Sequence, residues 1–469
     1  MDRDALRRLP PVGAVLEHEF LVESVNARGR VTVLRAVREA IEEARRGLRG
    51  GVSPPADPES LALRSREILE SQRATLCPVI NATGILLHTG LGRAPLADEA
   101  IAAVALVARG YCNLELDLEG GTRGCRTAGI ARLLRELTGA EAATAVNNNA
   151  GATVLALRAL AAGREVIVSR GQLVEIGGSF RLPEIFAVSG ARLREVGTTN
   201  KTRLSDYQGA LGPATAAILR VHRSNFRIVG FAEDPELTDL VRLAHENGLW
   251  MIDDIGSGAL GPGRPPQVGD EPTVALGISA GADLILFSGD KLLGGPQCGI
   301  MVGTEKAIGQ VEADPLMRAL RLDKMTLAAL DATLRLALDV DRAAARIPLW
   351  AMISTPVSKL SARAHSLAKV MRDELGLGAA VVPADSFLGG GSAPIHPIAT
   401  AAVGISAPFP APLDSEAALA KALRQGDPPV VARVQRGLVL LDLRTVPESR
   451  DPDLLDAIRE VCHDRNTTQ

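Results

Sequence analysis

Lysine is scarce in this chain: seven lysines stand against 45 arginines, and none precedes Lys201. Arginine supplies positive charge nearly everywhere, so a lysine at a demanding position needs a reason of its own. Aromatic residues make up 3% of the 469 residues, so the core must rest on Ala, Leu and Val. The five cysteines, Cys77, Cys112, Cys125, Cys298 and Cys462, form no Cys-x-x-Cys pair or metal-like spacing. That excludes a zinc module or disulfide framework and fits a reducing compartment, so a cytoplasmic location is expected. No apolar run of about 20 residues is present, which argues against a membrane span. The N-terminal residues carry acids among their arginines and lack a signal peptide's apolar core. A net charge of −3 gives no whole-chain sign of nucleic-acid binding, so DNA is not an expected partner. A local basic patch stays open.

The length allows two to four domains. Residues 1–75 read as a small helical module. Apolar residues recur at helical spacing from Val31 to Leu48 and from Leu61 to Leu69, around a linker with Gly50-Gly51 and Pro54-Pro55. Residues 76–330 alternate strands and helices, as a mostly parallel sheet covered on both faces would. Its strands are expected at Glu165–Val168, Arg192–Val196, Ala217–Val221, Trp250–Asp253, Leu284–Phe287 and Gly299–Val302. Met317 to Ala345 reads as largely helical. Residues 331–469 read as a smaller α/β domain, with strands near Ala379–Val382, Thr400–Val403, Val430–Val434 and Leu438–Leu443 and a Gly389-Gly390-Gly391 loop. The fold class is α/β.

Lys291 lies in Phe287-Ser288-Gly289-Asp290-Lys291-Leu292-Leu293-Gly294-Gly295, between a strand end and a glycine cluster. A buried amine can lose its proton and form a Schiff base, which a guanidinium cannot. An ordinary loop lysine is the plain alternative, and the neighbours decide against it. Ser288 can offer a hydroxyl to a phosphate. Upstream, Leu249 to Gly258 is an apolar strand ending in Asp253-Asp254. Ligands collect at strand ends of open parallel sheets, and a carboxylate there can hold a pyridine nitrogen protonated. Neighbours on a strand face opposite sides, and Asp254 is the chosen one. Asn147-Asn148-Asn149-Ala150-Gly151 opens a helix, where backbone N–H groups can receive a phosphate. Asn148, Asn149, Ala150 and Gly151 with Asp254, Ser288 and Lys291 read as a fold-type I pyridoxal phosphate site.

Across nearly its full length the chain resembles the bacterial selenocysteine synthases, the L-seryl-tRNA(Sec) selenium transferases. The resemblance rests on Ile80-Asn81-Ala82-Thr83-Gly84, Leu87 to Ala94, Tyr111 to Glu119 with Arg123-Gly124, Val174 to Arg181, Gly197 to Asn200, the Lys291 motif, and Lys324 to Leu327. It implies conversion of seryl-tRNA(Sec) to selenocysteinyl-tRNA(Sec) with selenophosphate, through an enzyme-bound aminoacrylyl group, with Lys291 as base. It places Arg93, Arg318 and Arg321 in the selenophosphate site. Arg318 and Arg321, three apart, are expected to share a helix face. It also implies tRNA binding by the N-terminal domain and homodimers assembled into a decamer. His88 and Arg433 are left between structural and substrate roles. Two positions depart from the family pattern: Gly90 replaces the usual Asn, and Gln172 replaces the usual Glu. The rival reading is a pyridoxal phosphate eliminase or lyase acting on a small amino acid or sugar acid, which would not need residues 1–75.

Overall fold

The computed structural model describes residues 9–51, 55–71, 76–176, 180–226, 228–261, 263, 271–389, 397–410 and 413–463. Gly177, Gly178, Ser179, Gly390, Gly391, Pro54 and the chain after His463 lie outside the described residues. Two compact units emerge, residues 1–78 and 79–469.

The first unit is helical, with helices Val12–Leu16, Glu19–Arg28, Arg30–Arg49 and Pro58–Ser71. Gly29, at φ +83°, separates the second from the third, a conformation that favours glycine. Along Arg30–Arg49, Val33, Ala36, Val37, Ala40, Ile41 and Ala44 are buried, the 3–4 spacing of one helix face. They pack with Val15, Leu21, Leu61 and Leu69.

The second unit holds two sheets. The larger has seven strands in the order Ala142–Val146, Gly299–Gly303, Leu284–Ser288, Trp250–Gly256, Thr215–Val221, Glu165–Ser169, Arg192–Val196. All pairings are parallel except those of Gly299–Gly303, which runs antiparallel to both neighbours. Close approach explains its terminal glycines. A Cβ on Gly299 would stand 2.3 Å from the Asn148 carbonyl oxygen, and one on Gly303 2.1 Å from that of Asp283. Leu284 and Leu286 face one core while Ile285 and Phe287 face the other, so this strand is covered on both sides and reads as a continuous apolar run.

The smaller sheet runs Ile80–Ala82, Val430–Gln435, Leu438–Asp442, Pro397–Ser406, Gly378–Phe387. Ile80–Ala82 pairs in parallel with Val430–Ala432, a contact across most of the chain. The stretch from Met317 to Ala345 is largely helical, as expected, but in three pieces. These are Leu316–Leu320, Lys324–Ala337 and Val340–Arg346; the first break falls where Arg321 turns extended and bridges Val146, the second where extended Asp339 caps the last helix. Among the described residues no helix is long and apolar enough to cross a membrane.

Asp442 fastens the segment after Ile80–Ala82. Its buried carboxylate accepts from Ser386 Oγ at 2.8 Å and Thr400 Oγ1 at 3.0 Å. Gly84 lies against it at φ +75°, where a Cβ would stand 2.1 Å from Asp442 Oδ2. Gly84→Ala therefore combines backbone strain with overpacking and is expected to cost at least about 2 kcal/mol, read as a lower denaturant midpoint.

Candidate active site

The strand Trp250–Gly256 ends in two buried acids that point apart. Asp253 takes a bidentate pair from Arg220, its register partner on Thr215–Val221, at 2.7 Å through both Nε and Nη2. Asp254 faces the helix Asn149–Ala161. Its Oδ1 accepts from Asn149 Nδ2 at 2.9 Å, and its Oδ2 lies 3.0 Å from Thr153 Oγ1. That hydroxyl is also 2.9 Å from the Asn149 carbonyl, so its one proton serves either acceptor. Burial pushes the Asp254 carboxyl above the usual carboxylate range, opposed by the bonds from Asn149 and Thr153 and by the charge of Lys291.

The helix facing Asp254 is capped by Asn148, whose Oδ1 accepts from Gly151 N at 2.8 Å. The N–H groups of Asn149 and Ala150 belong to the first turn, which has no preceding helical carbonyls to bond. Asn148, Asn149 and Ala150 line a cavity of about 330 Å³ together with Arg93, His222, Asp254, Ser288, Asp290 and Lys291. Gly151 differs: its N–H is taken by Asn148, and a Cβ there would meet Leu320 at 3.3 Å. It serves packing and is not among the lining residues.

Lys291 is buried just beyond the strand Leu284–Ser288. The turn carrying it closes through Gly289 N to Cys298 O at 2.9 Å and Gly294 N to Lys291 O at 2.8 Å. A Cβ at Gly289 would fall 2.4 Å from Cys298 Sγ, so the turn requires glycine. Burial pulls the Lys291 amine below the usual lysine range. The Arg93 charge adds to this, while Asp254, Asp290 and Glu271 oppose it. Arg93, a non-glycine residue at φ +64°, sends Nη1 to Asp290 Oδ2 at 2.9 Å. Backbone strain of this kind persists only where its surroundings fix it.

The structure brings Lys291, Asp254, Ser288, Asn148, Asn149, Ala150 and Arg93 to one cavity. It separates Arg318 and Arg321 from them. These two line a second cavity of about 480 Å³ with Cys125, Arg126 and Thr127. They do not share a helix face, because the helix ends at Leu320 and Arg321 is extended, at φ −62° and ψ 144°. Arg433 lies outside both cavities and donates to the Asp385 carbonyl at 3.0 Å, a structural contact. His88 keeps a buried Nδ1 with no hydrogen-bond partner among the described residues.

Gln172 is buried, and its Oε1 accepts from Val221 N at 3.0 Å, so it braces the strand before His222 rather than lining the cavity. Gly90 is exposed, with room for a Cβ at 3.4 Å from His88. Three residues escaped the sequence reading. Thr153 was findable, since it stands four residues after Asn149 on the same helix face. His222, with Nε2 3.7 Å from Glu271 Oε1, and Asp290, paired to Arg93, depend on contacts between distant segments. Among the described residues no cluster of His, Cys, Asp or Glu could hold a metal.

A lysine after the sheet's strand, an acid ending the adjacent strand and a helix N-terminus facing both define the architecture of fold-type I pyridoxal phosphate enzymes. A solved D-glucosaminate-6-phosphate ammonia-lyase shares this fold at TM-score 0.58 and 20% identity, covering 83% of this chain and 97% of its own. The family model for L-seryl-tRNA selenium transferase matches residues 79–447, and the model for the selenocysteine synthase N terminus matches residues 6–45. The chain belongs to the L-seryl-tRNA selenium transferase family. It is 47% identical over 463 residues to the L-seryl-tRNA(Sec) selenium transferase of Moorella thermoacetica, covering 97% of each chain. It is 46% identical to that of Solidesulfovibrio magneticus, covering 98% of this chain and 99% of the relative.

The two acids are expected to separate on stability. Asp253→Ala strands Arg220 beside a buried gap and should cost about 3 kcal/mol. Asp254→Asn removes a charge that burial disfavours and keeps an acceptor for Asn149, so its cost should stay within about 1 kcal/mol. Urea titration of both variants checks the order.

Proposed function

We propose that this protein converts L-seryl-tRNA(Sec) to L-selenocysteinyl-tRNA(Sec), with selenophosphate as selenium donor and pyridoxal 5′-phosphate as cofactor. The observation that carries the reading is a buried lysine amine and a buried carboxylate in one cavity, under a helix N-terminus, in a chain of this family. The residues suit the cofactor. The first-turn N–H groups of Asn149 and Ala150 and the Ser288 hydroxyl offer donors for a phosphate, and Asp254 offers a carboxylate for the ring nitrogen. Asn149 Oδ1, buried in the cavity wall without a partner among the described residues, has an acceptor to spare for a ligand.

Bound there, pyridoxal phosphate supplies an electron sink for the pair left at an amino acid's α-carbon. Lys291 does the proton work. Depression of its pKa favours the neutral amine, which can take the α-proton and later return it. Asn149 and Thr153 favour the charged form of Asp254 by donating to it, against the cost of burial. Arg93, Arg318 and Arg321 supply guanidiniums to the multiply charged donor, which suits their planar forks. The serine β-hydroxyl would leave as water and selenium would take its place on the β-carbon; the P–Se bond breaks as a water oxygen bonds to phosphorus, leaving inorganic phosphate.

We also propose a cytoplasmic homo-oligomer, dimers assembled into a decamer, in which a second copy brings the Arg318–Arg321 cavity to the Lys291 cavity. Exposed Leu106, Tyr111 and Leu118 support burial against another chain. Residues 1–75 would bind the tRNA, residues 76–330 carry the cofactor, and residues 331–469 form the small domain. The match of residues 6–45 to a selenocysteine synthase N-terminal model supports that role and disfavours a small-molecule eliminase.

Purified protein with seryl-tRNA(Sec) and labelled selenophosphate should place label on tRNA and none on free serine. Label on neither, with the cofactor's absorbance band intact, would turn the reading to a small-molecule lyase. Lys291→Ala should lose that band and all turnover, and persistent turnover would refute the role of the amine. Deleting residues 1–75 should spare the band and abolish tRNA binding.

A further inference from the structure

Glu115 gathers three guanidiniums around one carboxylate. Its Oε1 accepts from Arg126 Nε at 3.0 Å and from Arg126 Nη2, and it lies 3.7 Å from Arg321 Nη1. Its Oε2 accepts from Arg123 Nη2 at 2.8 Å. A backbone hairpin makes this possible: Gly124 N donates to Glu115 O at 3.0 Å, Asp117 N donates to Thr122 O at 2.9 Å, and Leu116 bridges Arg123. Arg126 Nη1 then reaches the Leu322 carbonyl at 2.5 Å, tying the hairpin to the segment that carries Arg318 and Arg321.

The three arginines are not held alike. Arg126 is largely buried, with 14% of its side chain exposed, and is held through all three of its nitrogens by Glu115 and Leu322. Arg321 is 39% exposed, stands beyond hydrogen-bond distance of Glu115, and opens with Arg318 into the 480 Å³ cavity. Of the acids lining that cavity, Asp314 is engaged with Arg158 Nε at 3.2 Å and Leu316 N at 2.8 Å, and Glu312 is exposed; Glu115 stands behind Arg321, outside the lining. Glu115 is therefore the carboxylate poised to compete for Arg321.

We propose that Glu115 is an internal counter-ion of a tetrahedral-oxyanion site at Arg318 and Arg321, weakening its hold on phosphate so that phosphate leaves after each turnover. The inference rests on the donor-binding role proposed above for those two arginines. A site built only of guanidiniums would bind the phosphate product as firmly as the donor it resembles. A carboxylate beside Arg321 repels any anion there and reclaims the guanidinium when the anion departs. Glu115 acts through Arg321 and is a positioning residue.

The test is calorimetric titration of inorganic phosphate into the holoenzyme, alongside steady-state kinetics with selenophosphate. Glu115→Gln keeps an acceptor for Arg126 but loses the charge. It should tighten phosphate binding about tenfold, strengthen product inhibition and lower kcat and KM for the donor together. Glu115→Asp, which retains the charge, should stay within about threefold of the parent. Weaker or unchanged phosphate binding in Glu115→Gln overturns the proposal, as does equal tightening in Glu115→Asp. Phosphate binding untouched by the double substitution Arg318→Ala with Arg321→Ala would sink the arginines' donor role and this proposal together. Binding weakened by that pair but unaffected by Glu115→Gln would sink the proposal alone.

Discussion

Everything at the candidate site follows from holding an amine and a carboxylate out of water in the same cavity. Burial disfavours the charged form of each group: Lys291 is pulled down in pKa and Asp254 is pushed up. Each also opposes the other's shift, because a buried ammonium favours a nearby carboxylate and the reverse. The balance is adjusted by the groups around them. Arg93 disfavours a charged Lys291, Asp290 and Glu271 favour it, and Asn149 and Thr153 favour a charged Asp254. Such a site needs a rigid frame, since small displacements change these opposing influences unequally.

The sheet provides that frame. Asp254 and Lys291 belong to adjacent parallel strands or their ends, and Asn149 is tied to the neighbouring antiparallel strand by the close approach of Gly299 to Asn148. Asp253, one residue earlier, locks its strand to the next through Arg220. Alternation along one strand thus gives one acid to the fold and the next to the cavity. A one-residue slip would exchange their surroundings and place an ion-paired acid where an adjustable one is needed.

Much of this could be read from the sequence because it rests on local rules. Period-two alternation favoured Asp254 over Asp253, and apolar runs located the strands to within a residue or two at most ends. The helix start at the Asn147–Asn149 run followed from its place before a helical pattern, while the Asn148 cap emerged only in the structure. What escaped depends on contacts between distant segments. Nothing local announces that Arg321 will turn extended to bridge Val146, that Ile80–Ala82 will join a sheet with Val430–Ala432, or that Asp290 will hold Arg93. Gly151 shows the opposite error. It was read with its neighbours as a ligand contact, but Asn148 takes its N–H and its missing side chain admits Leu320.

The scarcity of lysine acquires a meaning at the cavity. Lys291 is the one amine among the described lining residues, and the neighbouring cation is Arg93. A second lysine in the place of Arg93 would put another amine of the same nucleophilic chemistry in the cavity, and either could titrate. A guanidinium carries its charge while remaining protonated and chemically inert. Its fixed charge also helps depress the pKa of Lys291, which an amine able to discharge itself would do less dependably. One titratable amine beside one permanently charged guanidinium therefore keeps titration and fixed charge on different residues of the same cavity.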